Sequence, residues 1–323
     1  MVSFPGQRFL APQRFVSIRP VSLNGVAPAT FQLPRGAWAT VLDCLAAHFT
    51  AIAREQWISR MDRGLVLDER GVALTQASPY RPGLRVHYYR EVPAEAPIPF
   101  AETLLYADEH LVVADKPHFL PVAPVGRYVR ETLLTRLQQR LANPELSPLH
   151  RIDRGTAGLV MFSARAATGN AYQALFRDCR IAKHYEAIAP ALPARQFPLT
   201  RASRIVRGEP FVRSQEVVGP VNARTRIEVA QGEGRLWRYT LYPETGKKHQ
   251  LRVHLAALGA PIVNDDFYPV MVERAVDDFS RPLQLLARGI RFRDPVTGGE
   301  REFVSRFRLA EPDGHELTAQ WGS

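Results

Sequence analysis

The sequence contains few cysteines and no long apolar run. Cys44 and Cys179 are the two cysteines and form no C-x-x-C pair, so we expect two reduced, buried thiols rather than a disulfide framework or a structural zinc site. No apolar run approaches the roughly 20 residues that span a bilayer. Residues 1–10 lack the charged start and apolar core of a secretory signal. We therefore expect a cytoplasmic protein with no membrane partner.

Two further absences argue against common cofactors. His249 and His254 are five positions apart, which places them on different faces of a helix or a strand, unlike the i, i+4 histidine pair of a metalloprotease. Gly246-Lys247 is followed by Lys248 and lacks the earlier glycine of a Walker A phosphate-binding loop. The sequence therefore predicts no metal site and no nucleotide cofactor.

Arginine, in contrast, is abundant. The formal net charge is +10, and only four of the 42 basic residues are lysines. Arginine binds phosphates bidentately and stacks on aromatic rings, and clustered basic side chains bind polyanions by releasing counterions. The charge therefore favours an RNA partner, although a GC-rich genome produces the same excess of arginine.

The most informative segment is HRIDRGTAGL, at residues 150–159. It places one carboxylate, Asp153, between Arg151 and Arg154, and a cation within about 4–6 Å lowers the pKa of a carboxylate by roughly 1–3 units. We therefore expect Asp153 to be ionised, as a nucleophile or a base must be. A surface aspartate paired with arginine would show the same local pattern and contribute little to stability.

This segment resembles the H-R-L-D-R-x-T-S-G-L signature of the RluA family of RNA pseudouridine synthases. Three other segments resemble motifs of that family in the same order along the chain. They are LYADEHLVVADKP at residues 105–117, KHYEAI at 183–188 and TGKKHQLRVHL at 245–255, which continues into GAPIVNDDFY at 259–268. Asn264 and Pro269 stand where the family commonly has glycine, so we expect the local loop shape to differ.

The resemblance implies an α+β fold, with a mixed, mostly antiparallel central sheet, flanking helices and an active-site cleft across the face of the sheet. Strands dispersed among helices without regular βαβ alternation also favour this class. We expect an N-terminal extension at 1–34, a small α+β module at 35–92, a Pro-rich linker at 93–98, the catalytic domain at 99–312 and a C-terminal tail at 313–323. The small module resembles the RNA-binding module first described in ribosomal protein S4 (S4-like); a generic appendage is the alternative.

Hydrophobic spacing predicts individual elements in both regions. Helices are expected over residues 38–49 and 128–142, around Trp57–Met61, and in a segment that begins at an N-capping Thr245 and ends at Gly259. Strands are expected at Leu65–Leu67, Val72–Leu74, Leu84–Tyr88, Leu159–Phe162, Tyr185–Ala189 and Arg235–Tyr242.

The resemblance further implies catalytic roles for Asp153, Tyr185 and Arg252. Asp153 would act on the ribose as a nucleophile or as a base, and the sequence leaves both possibilities open. Arg252 would keep Asp153 ionised, and Tyr185 would stack on the uracil; a solvent-facing arginine and a core tyrosine are the structural alternatives. Converting uridine to pseudouridine oxidises and hydrolyses nothing, so no cofactor is expected.

A uridine inside a stack cannot reach Asp153, so the nucleotide must flip out at a cost of a few kcal/mol. Arg151 resembles the family residue that fills the space left by the base. The other side chains expected to contact RNA are Arg154, Lys183, Lys247, Lys248 and His249.

The expected function is isomerisation of specific uridines in structured RNA by a monomeric enzyme. Large-subunit 23S rRNA is the favoured target because of the S4-like resemblance, and tRNA is the alternative. A non-catalytic RNA-binding or ribosome-assembly factor is a different possibility, which the combination of Asp153, Tyr185 and Arg252 argues against. A nucleoside glycosidase usually needs paired carboxylates, and no second carboxylate neighbours Asp153 in its motif.

Overall fold

The computed structural model describes residues 28–90, 95–275 and 277–312. The chain divides into two compact units, Met1–Glu91 and Val92–Ser323. Most of the expected N-terminal extension, part of the linker and the whole expected C-terminal tail lie outside the described residues. No helix in the described ranges is long and apolar enough to cross a membrane.

The described part of the first unit, residues 28–90, combines two helices with a three-stranded antiparallel sheet. The strands β1 (Ala29–Gln32), β2 (Val66–Leu67) and β3 (Arg85–Tyr88) lie in the order β1-β3-β2. Helices α1 (Val41–His48) and α2 (Arg54–Asp62) occupy the predicted helical segments. Because β1 pairs with β3, the end of the expected extension 1–34 forms part of this sheet. The S4-like character of the unit remains a prediction.

One predicted strand of the first unit is wrong. Residues 72–74 form only an isolated bridge between Ala73 and Leu67. The Asp68 carboxylate accepts hydrogen bonds from the backbone N–H groups of Arg70 and Val72, which holds this segment in a tight turn. An Asp side chain that bonds to nearby backbone groups competes in this way with strand pairing.

The second unit is built on one 11-stranded sheet. The strands are β4 (Thr103–Ala107), β5 (Leu111–Lys116), β6 (Ser147–Pro148), β7 (Ala157–Ser163), β8 (Ile181–Pro190), β9 (Leu199–Arg207), β10 (Ser214–Val217), β11 (Ala223–Gln231), β12 (Leu236–Pro243), β13 (Leu285–Arg293) and β14 (Glu300–Val304). The central path of the sheet has the order β10-β9-β11-β12-β8-β13-β7-β5-β4, with β14 beside β13 and β6 beside β7. Among the described strand pairs, only β7 and β13 run parallel, which confirms the predicted α+β fold with a mixed, mostly antiparallel sheet.

Three helices flank this sheet: α3 (Leu133–Arg140), α4 (Ala166–Arg177) and α5 (Gln250–Ala257). Helix α3 is shorter than the predicted 128–142, because the backbone N–H groups of residues 129–131 donate to the Glu95 carboxylate instead of starting a helix. The Thr132 hydroxyl then caps α3 by accepting from Thr135 N. After α4, Cys179 lies exposed at a positive φ of 53°, so the expectation that both thiols are buried is correct only for Cys44.

The start of α5 also differs from the prediction. Its N-cap is His249, at a left-handed φ of 57°, and not Thr245. The Thr245 hydroxyl instead donates to Gln250 Oε1 at 2.7 Å, and the same oxygen accepts from Lys247 N at 3.1 Å. The Gln250 side chain thus stabilises the turn before the helix. Gly259, at a φ of 89°, follows the end of α5 as predicted.

A single row of paired residues crosses the centre of the sheet. Lys116 pairs with Gly158, Gly158 with Ala287, and Ala287 with Tyr185. Gly158 has a φ of 108°, and a Cβ atom there would lie 2.3 Å from the Ala287 carbonyl oxygen. A side chain at residue 158 would therefore prevent β7 from approaching β13, so this glycine is what brings Lys116 and Tyr185 into one row.

Candidate active site

The candidate site centres on Asp153, in the turn that leads into β7. The Asp153 carbonyl accepts from Thr156 N at 3.1 Å, which closes the turn, and the Asp153 side chain is 28% exposed. Arg252, on α5, donates from Nη1 to Asp153 Oδ2 at 3.0 Å. The site is therefore formed where a turn before a central strand meets the first residues of a helix.

Arg252 is held by a second carboxylate. Its Nε donates to Asp265 Oδ2 at 2.8 Å, and its Nη2 donates to Asp265 Oδ1 at 2.6 Å. Asp265 Oδ1 also accepts from the backbone N–H groups of Phe267 and Tyr268. The Asp265 side chain is fully buried, and the Arg252 guanidinium lies 4.9 Å from the centre of the Phe267 ring. Such a fork of parallel hydrogen bonds fixes the orientation of the guanidinium.

These neighbours control the ionisation of Asp153. Burial alone would raise the pKa of Asp153, but His249, Arg252 and Lys116 together hold that pKa below its ordinary value. Burial lowers the pKa of His249 to about 4, so its ring is neutral at neutral pH. Burial also opposes the charge of Arg252, but its two carboxylate partners raise the Arg252 pKa and keep it charged. Arg252 is therefore the main group that keeps Asp153 ionised.

The prediction that Arg151 and Arg154 keep Asp153 ionised is wrong, whereas the pairing with Arg252 that the resemblance implied is present. Arg151, which precedes Asp153 in the chain, is exposed and makes no ion pair with a described carboxylate. Arg154 lies over the rings of Tyr128 and Phe119, at 5.1 and 5.8 Å from their centres. Side chains close in sequence diverge in this turn, and the cation that Asp153 binds is 99 positions away.

His249 lies beside Asp153 on the other side of the carboxylate. Its Nε2 is 3.7 Å from Asp153 Oδ1, and its Nδ1 is 3.0 Å from the Tyr268 hydroxyl. The ring stacks on Phe267, with centroids 5.3 Å apart and an interplanar angle of 14°. The left-handed backbone of His249 places this ring in the site while Lys247 and Lys248 remain exposed.

Lys116 is a fully buried cation at the end of β5. Its Nζ donates to the carbonyls of Pro117, at 2.9 Å, and Arg154, at 3.2 Å. Burial lowers the pKa of Lys116 to about 7, while the negative charges of Asp153 and Asp115 act in the opposite direction. Lys116 and Pro117 end one of the motifs quoted from the sequence, but no role was predicted for Lys116.

Tyr185 extends from β8 towards the same site. It is partly buried and packs against the apolar cluster that includes Leu251 and Leu255 of α5. Burial first, and the charge of Asp153 second, raise the pKa of Tyr185 well above its ordinary value. Its hydroxyl makes no hydrogen bond to another described residue. The ring is therefore a neutral phenol at the edge of the Asp153 cluster.

The other residues expected to contact RNA are dispersed. Lys183 is partly buried on β8, makes no ion pair with a described carboxylate, and affects the pKa of His150 rather than of Asp153.

Asp265 was not identified as a site residue from the sequence, although it lies in one of the quoted motifs. Asn264 has a left-handed backbone, with a φ of 62°. Glycine adopts this conformation without strain, and asparagine tolerates it better than most residues. Within the described ranges, no three His, Cys, Asp or Glu side chains could hold a metal ion.

Comparisons with known proteins agree with this geometry. Residues 110–257 match the family model for RNA pseudouridylate synthases. The dual-specificity RNA pseudouridine synthase RluA of Haemophilus influenzae is 31% identical over 207 residues, which cover 63% of this chain and 92% of that protein. An uncharacterized RNA pseudouridine synthase of Synechocystis is 28% identical over 235 residues, which cover 71% of this chain and 79% of the relative.

Solved structures of human enzymes have a similar fold. Human RNA pseudouridylate synthase domain containing 4 superposes with a TM-score of 0.50 at 26% identity, covering 63% of this chain and 87% of the human chain. Human RNA pseudouridylate synthase domain containing 1 has a TM-score of 0.52 at 22% identity, covering 66% and 86%. With the family model and the bacterial relatives, this fold leads to one conclusion: the chain belongs to the RluA family of RNA pseudouridine synthases, isomerases that act on RNA.

Proposed function

We propose that this enzyme converts specific uridines of structured RNA into pseudouridine, with Asp153 acting on a flipped-out nucleotide, and that its target is large-subunit 23S rRNA. The observation that carries the proposal is the Asp153–Arg252–Asp265 arrangement. Its outer carboxylate is 28% exposed, whereas the guanidinium and the inner carboxylate are buried. Only the outer carboxylate of the three charges is thus accessible to a substrate.

The reaction requires one bond to break and another to form. The bond from the ribose anomeric carbon to N1 of uracil breaks, the detached base turns, and a bond from the same carbon to C5 replaces it. The C5 proton is then lost and N1 gains one, so atoms and electrons balance without an oxidant or a hydrolytic water. An ionised carboxylate beside the sugar can act by attacking the anomeric carbon or by removing a ribose proton.

Asp153 has an oxygen available for either form of this step. Arg252 donates to Oδ2, whereas Oδ1 accepts no hydrogen bond from a described residue and lies 3.7 Å from His249. Arg252 therefore orients the carboxylate without occupying both of its oxygens. A carboxylate whose pKa is lowered and whose orientation is fixed is prepared for reaction before the RNA arrives.

Tyr185 supplies a surface for the detached uracil. Stacking of a base on an aromatic side chain contributes about 1–3 kcal/mol, and the partly buried ring lies close enough to Asp153 for the charge to affect its pKa. Because Tyr185 is a neutral phenol, its ring can hold the uracil while its hydroxyl relays a proton. We assign Tyr185 to the base and Asp153 to the sugar.

The choice of RNA rests on the basic surface. Lys247 and Lys248 are exposed immediately before His249, where they could contact phosphates beside the target nucleotide, and Arg151 is exposed in the turn that holds Asp153. The first unit exposes further arginines, which is consistent with an S4-like module that binds rRNA. The relative from Haemophilus influenzae is described as having dual specificity, so tRNA is the second RNA to test.

The test is to incubate the purified full-length chain with unmodified transcripts of the source organism's 23S rRNA and tRNAs and to map pseudouridine in both. We expect a small number of sites in 23S rRNA, and none with Asp153→Asn. Modification confined to tRNA would overturn the rRNA assignment. Binding of either RNA without any pseudouridine would favour the non-catalytic RNA-binding factor.

A further inference from the structure

A basic groove lies beside the candidate active site and is not used by the chemistry described above. It has a volume of about 380 Å³, within the range of roughly 300–1,000 Å³ typical of small-molecule sites. The turn between β9 and β10 forms one wall, and the turn before α5 forms the other. We call it the hairpin groove, and its lining residues are Ile205, Val206, Arg207, Phe211, Arg213, Ser214, Lys247 and Lys248.

The charged side chains that line the hairpin groove are all basic. Its lining includes two arginines and two lysines and no Asp or Glu. Lys247 and Lys248 are exposed, so their ammonium groups can reach a bound anion. A groove lined in this way attracts a negatively charged ligand and repels a cation.

An exposed aromatic ring lies in this groove. Phe211 is 63% exposed at the turn between the two strands, and the Arg207 guanidinium lies 5.1 Å from the centre of its ring. Cations interleaved with aromatic rings are the usual surface for unpaired bases, because every base has a π face and every nucleotide a phosphate.

Arg213 holds a fixed position in the wall of the groove. Its Nη2 donates to the Pro269 carbonyl at 2.9 Å, and its guanidinium lies 4.9 Å from the centre of the Tyr268 ring. Arg213 therefore adds a positive charge to the groove whose position is set by the protein and not by the ligand.

A chain of contacts joins the hairpin groove to Asp153. Ser214 N donates to the Tyr268 hydroxyl at 2.7 Å, and that hydroxyl is 3.0 Å from His249 Nδ1. His249 in turn lies 3.7 Å from Asp153. The groove is therefore connected to Asp153 through Tyr268 and His249, and its Lys247 and Lys248 directly precede His249 in the chain.

We propose that the hairpin groove binds the nucleotide next to the target uridine, with its base stacked on Phe211 and its phosphate held by Lys247 and Lys248. The inference rests on the proposed function for the identity of the ligand as RNA. It adds a subsite for an unpaired neighbouring nucleotide, so the enzyme would select uridines in single-stranded loops.

The test measures binding of the full-length chain to a fluorescein-labelled oligouridylate of nine nucleotides by fluorescence anisotropy. Loss of one base stack of about 1–3 kcal/mol corresponds to about 5- to 150-fold weaker binding. We expect Phe211→Leu to weaken binding within that range and Phe211→Trp, which keeps an aromatic face, to bind nearly as well as the wild type. Val296→Ala, at an exposed position that does not line the groove, is the control and should bind normally.

Salt dependence separates stacking from phosphate binding. Removing one cation that binds a phosphate should reduce the slope of log affinity against log salt by about 0.7 for a single strand. We expect Lys248→Gln to reduce the slope by about that amount and Phe211→Leu to leave it unchanged. Because both side chains are exposed, thermal unfolding of both variants should match the wild type, which would exclude a purely structural role.

The two proposals fail in different ways. Equal affinity of wild type and Phe211→Leu, or no affinity of the wild type for the oligouridylate, would overturn the subsite even if the enzyme makes pseudouridine. A wild type that makes no pseudouridine, while Phe211→Leu still weakens RNA binding, would overturn the proposed function and retain the groove as an RNA site. Equally weak binding by Phe211→Trp and Phe211→Leu would show that stacking is not the interaction.

Discussion

The two units of the chain differ most in the charges that they bury. Among the described residues of the first unit, the buried basic side chains are Arg60 and His87, and no Asp or Glu is buried there. The second unit buries Asp115, Lys116, His118, His249, Arg252, His254, Asp265 and Asp294. The first unit is stabilised chiefly by an apolar core around Trp57, whereas the second also holds together a set of ionisable groups.

The difference indicates where each unit contributes. Burying a charge is unfavourable unless it is paired and hydrogen-bonded, so clustered buried charges mark a place where a protein uses them. In the second unit several of them surround Asp153. The other arginines within residues 28–90 of the first unit are instead exposed, in a distribution suited to phosphate binding. Substitutions around Asp153 should therefore alter chemistry, and substitutions of the exposed arginines in the first unit should alter RNA affinity.

The largest expected effect is that of Asp153→Asn. The change removes one charge and little volume, so pseudouridine formation should fall below detection, by more than the roughly 10²–10⁴-fold typical of a single acid–base group. RNA affinity should remain within a few-fold of the wild type. Asp178→Asn, which changes an exposed carboxylate after α4, is the matched control. Single-turnover conversion of the target RNA measures the effect, and ordinary turnover by Asp153→Asn would refute the role of Asp153.

Asp265→Asn should reduce stability as well as turnover. It leaves the buried Arg252 with Asp153 as its remaining anionic partner, and breaking a buried ion pair costs about 3–5 kcal/mol of the free energy of unfolding. Asp266→Asn is the control in the next residue, where the ion pair with Arg274 is partly exposed and contributes about 0–1 kcal/mol. Urea denaturation measures both variants. Equal stability of the two would contradict the pairing of Arg252 described above.

Two substitutions at Tyr185 distinguish a role in stacking from a role in proton transfer. We expect Tyr185→Phe to bind RNA well but to slow the chemical step, because a positioned acid–base group typically contributes about 10²–10⁴-fold. Tyr185→Ala should be worse in both binding and rate, because it removes the ring as well. Single-turnover rates and anisotropy measure the two effects. Normal rates in Tyr185→Ala would show that the residue only packs in the core.

Substituting exposed arginines of the first unit should have a smaller effect, on RNA binding alone. Replacing the exposed Arg81 and Arg85 together by glutamine should weaken RNA binding and reduce its salt slope, by up to about 0.9 for each arginine that binds a duplex phosphate. The single-turnover rate at saturating enzyme should not change. The same double change at Arg177 and Arg180, exposed in the second unit, serves as the control. An unchanged slope would show that the first unit does not bind RNA through these arginines.

The smallest effect concerns pH. Lys116 is one of the positive charges that lower the pKa of Asp153, so Lys116→Met should raise that pKa. Asp153 would then lose its charge earlier as the pH falls, and the acid limb of kcat/KM should move to higher pH by about one unit. Lys183→Met is the control, because it removes the ammonium of a partly buried lysine that affects the pKa of His150 and not that of Asp153. It should leave the acid limb in place. A limb that stays fixed in Lys116→Met would contradict the influence of Lys116 on Asp153.

The sequence was sufficient for the parts of the site that depend on local motifs. The resemblance identified Asp153, Tyr185 and Arg252 from segments of about ten residues each, and the structure brings them together at one end of α5. Their partners could not be predicted in the same way. Asp265 binds Arg252, 13 positions earlier, and Lys116 binds the Arg154 carbonyl, 38 positions later. Nothing in their own neighbourhood in the sequence indicates that they are buried.

The fold shows the same limit. Local apolar patterns predicted β2, β3, β7, β8 and β12, because such patterns depend on local geometry. The other nine described strands were not predicted from such patterns. The parallel pairing of β7 with β13 joins residues about 130 positions apart, and it depends on Gly158 allowing Ala287 to approach. At the start of α5, Thr245 was predicted as the N-cap because threonine is typical of that position. Its hydroxyl instead donates to Gln250 Oε1, and the N-cap is His249.

The second carboxylate on Arg252 also has a consequence for the progress of the reaction. In the proposed reaction Asp153 loses its negative charge, whether it forms a bond to the ribose or accepts a proton. If Asp153 were the sole counterion, a desolvated cation would then be left uncompensated, and the rise in energy would add to the barrier. Because Asp265 is bound to Nε and Nη2, the guanidinium keeps a carboxylate partner in place. The protein therefore need not rearrange as charge disappears from Asp153, which keeps the reorganisation energy of the step low.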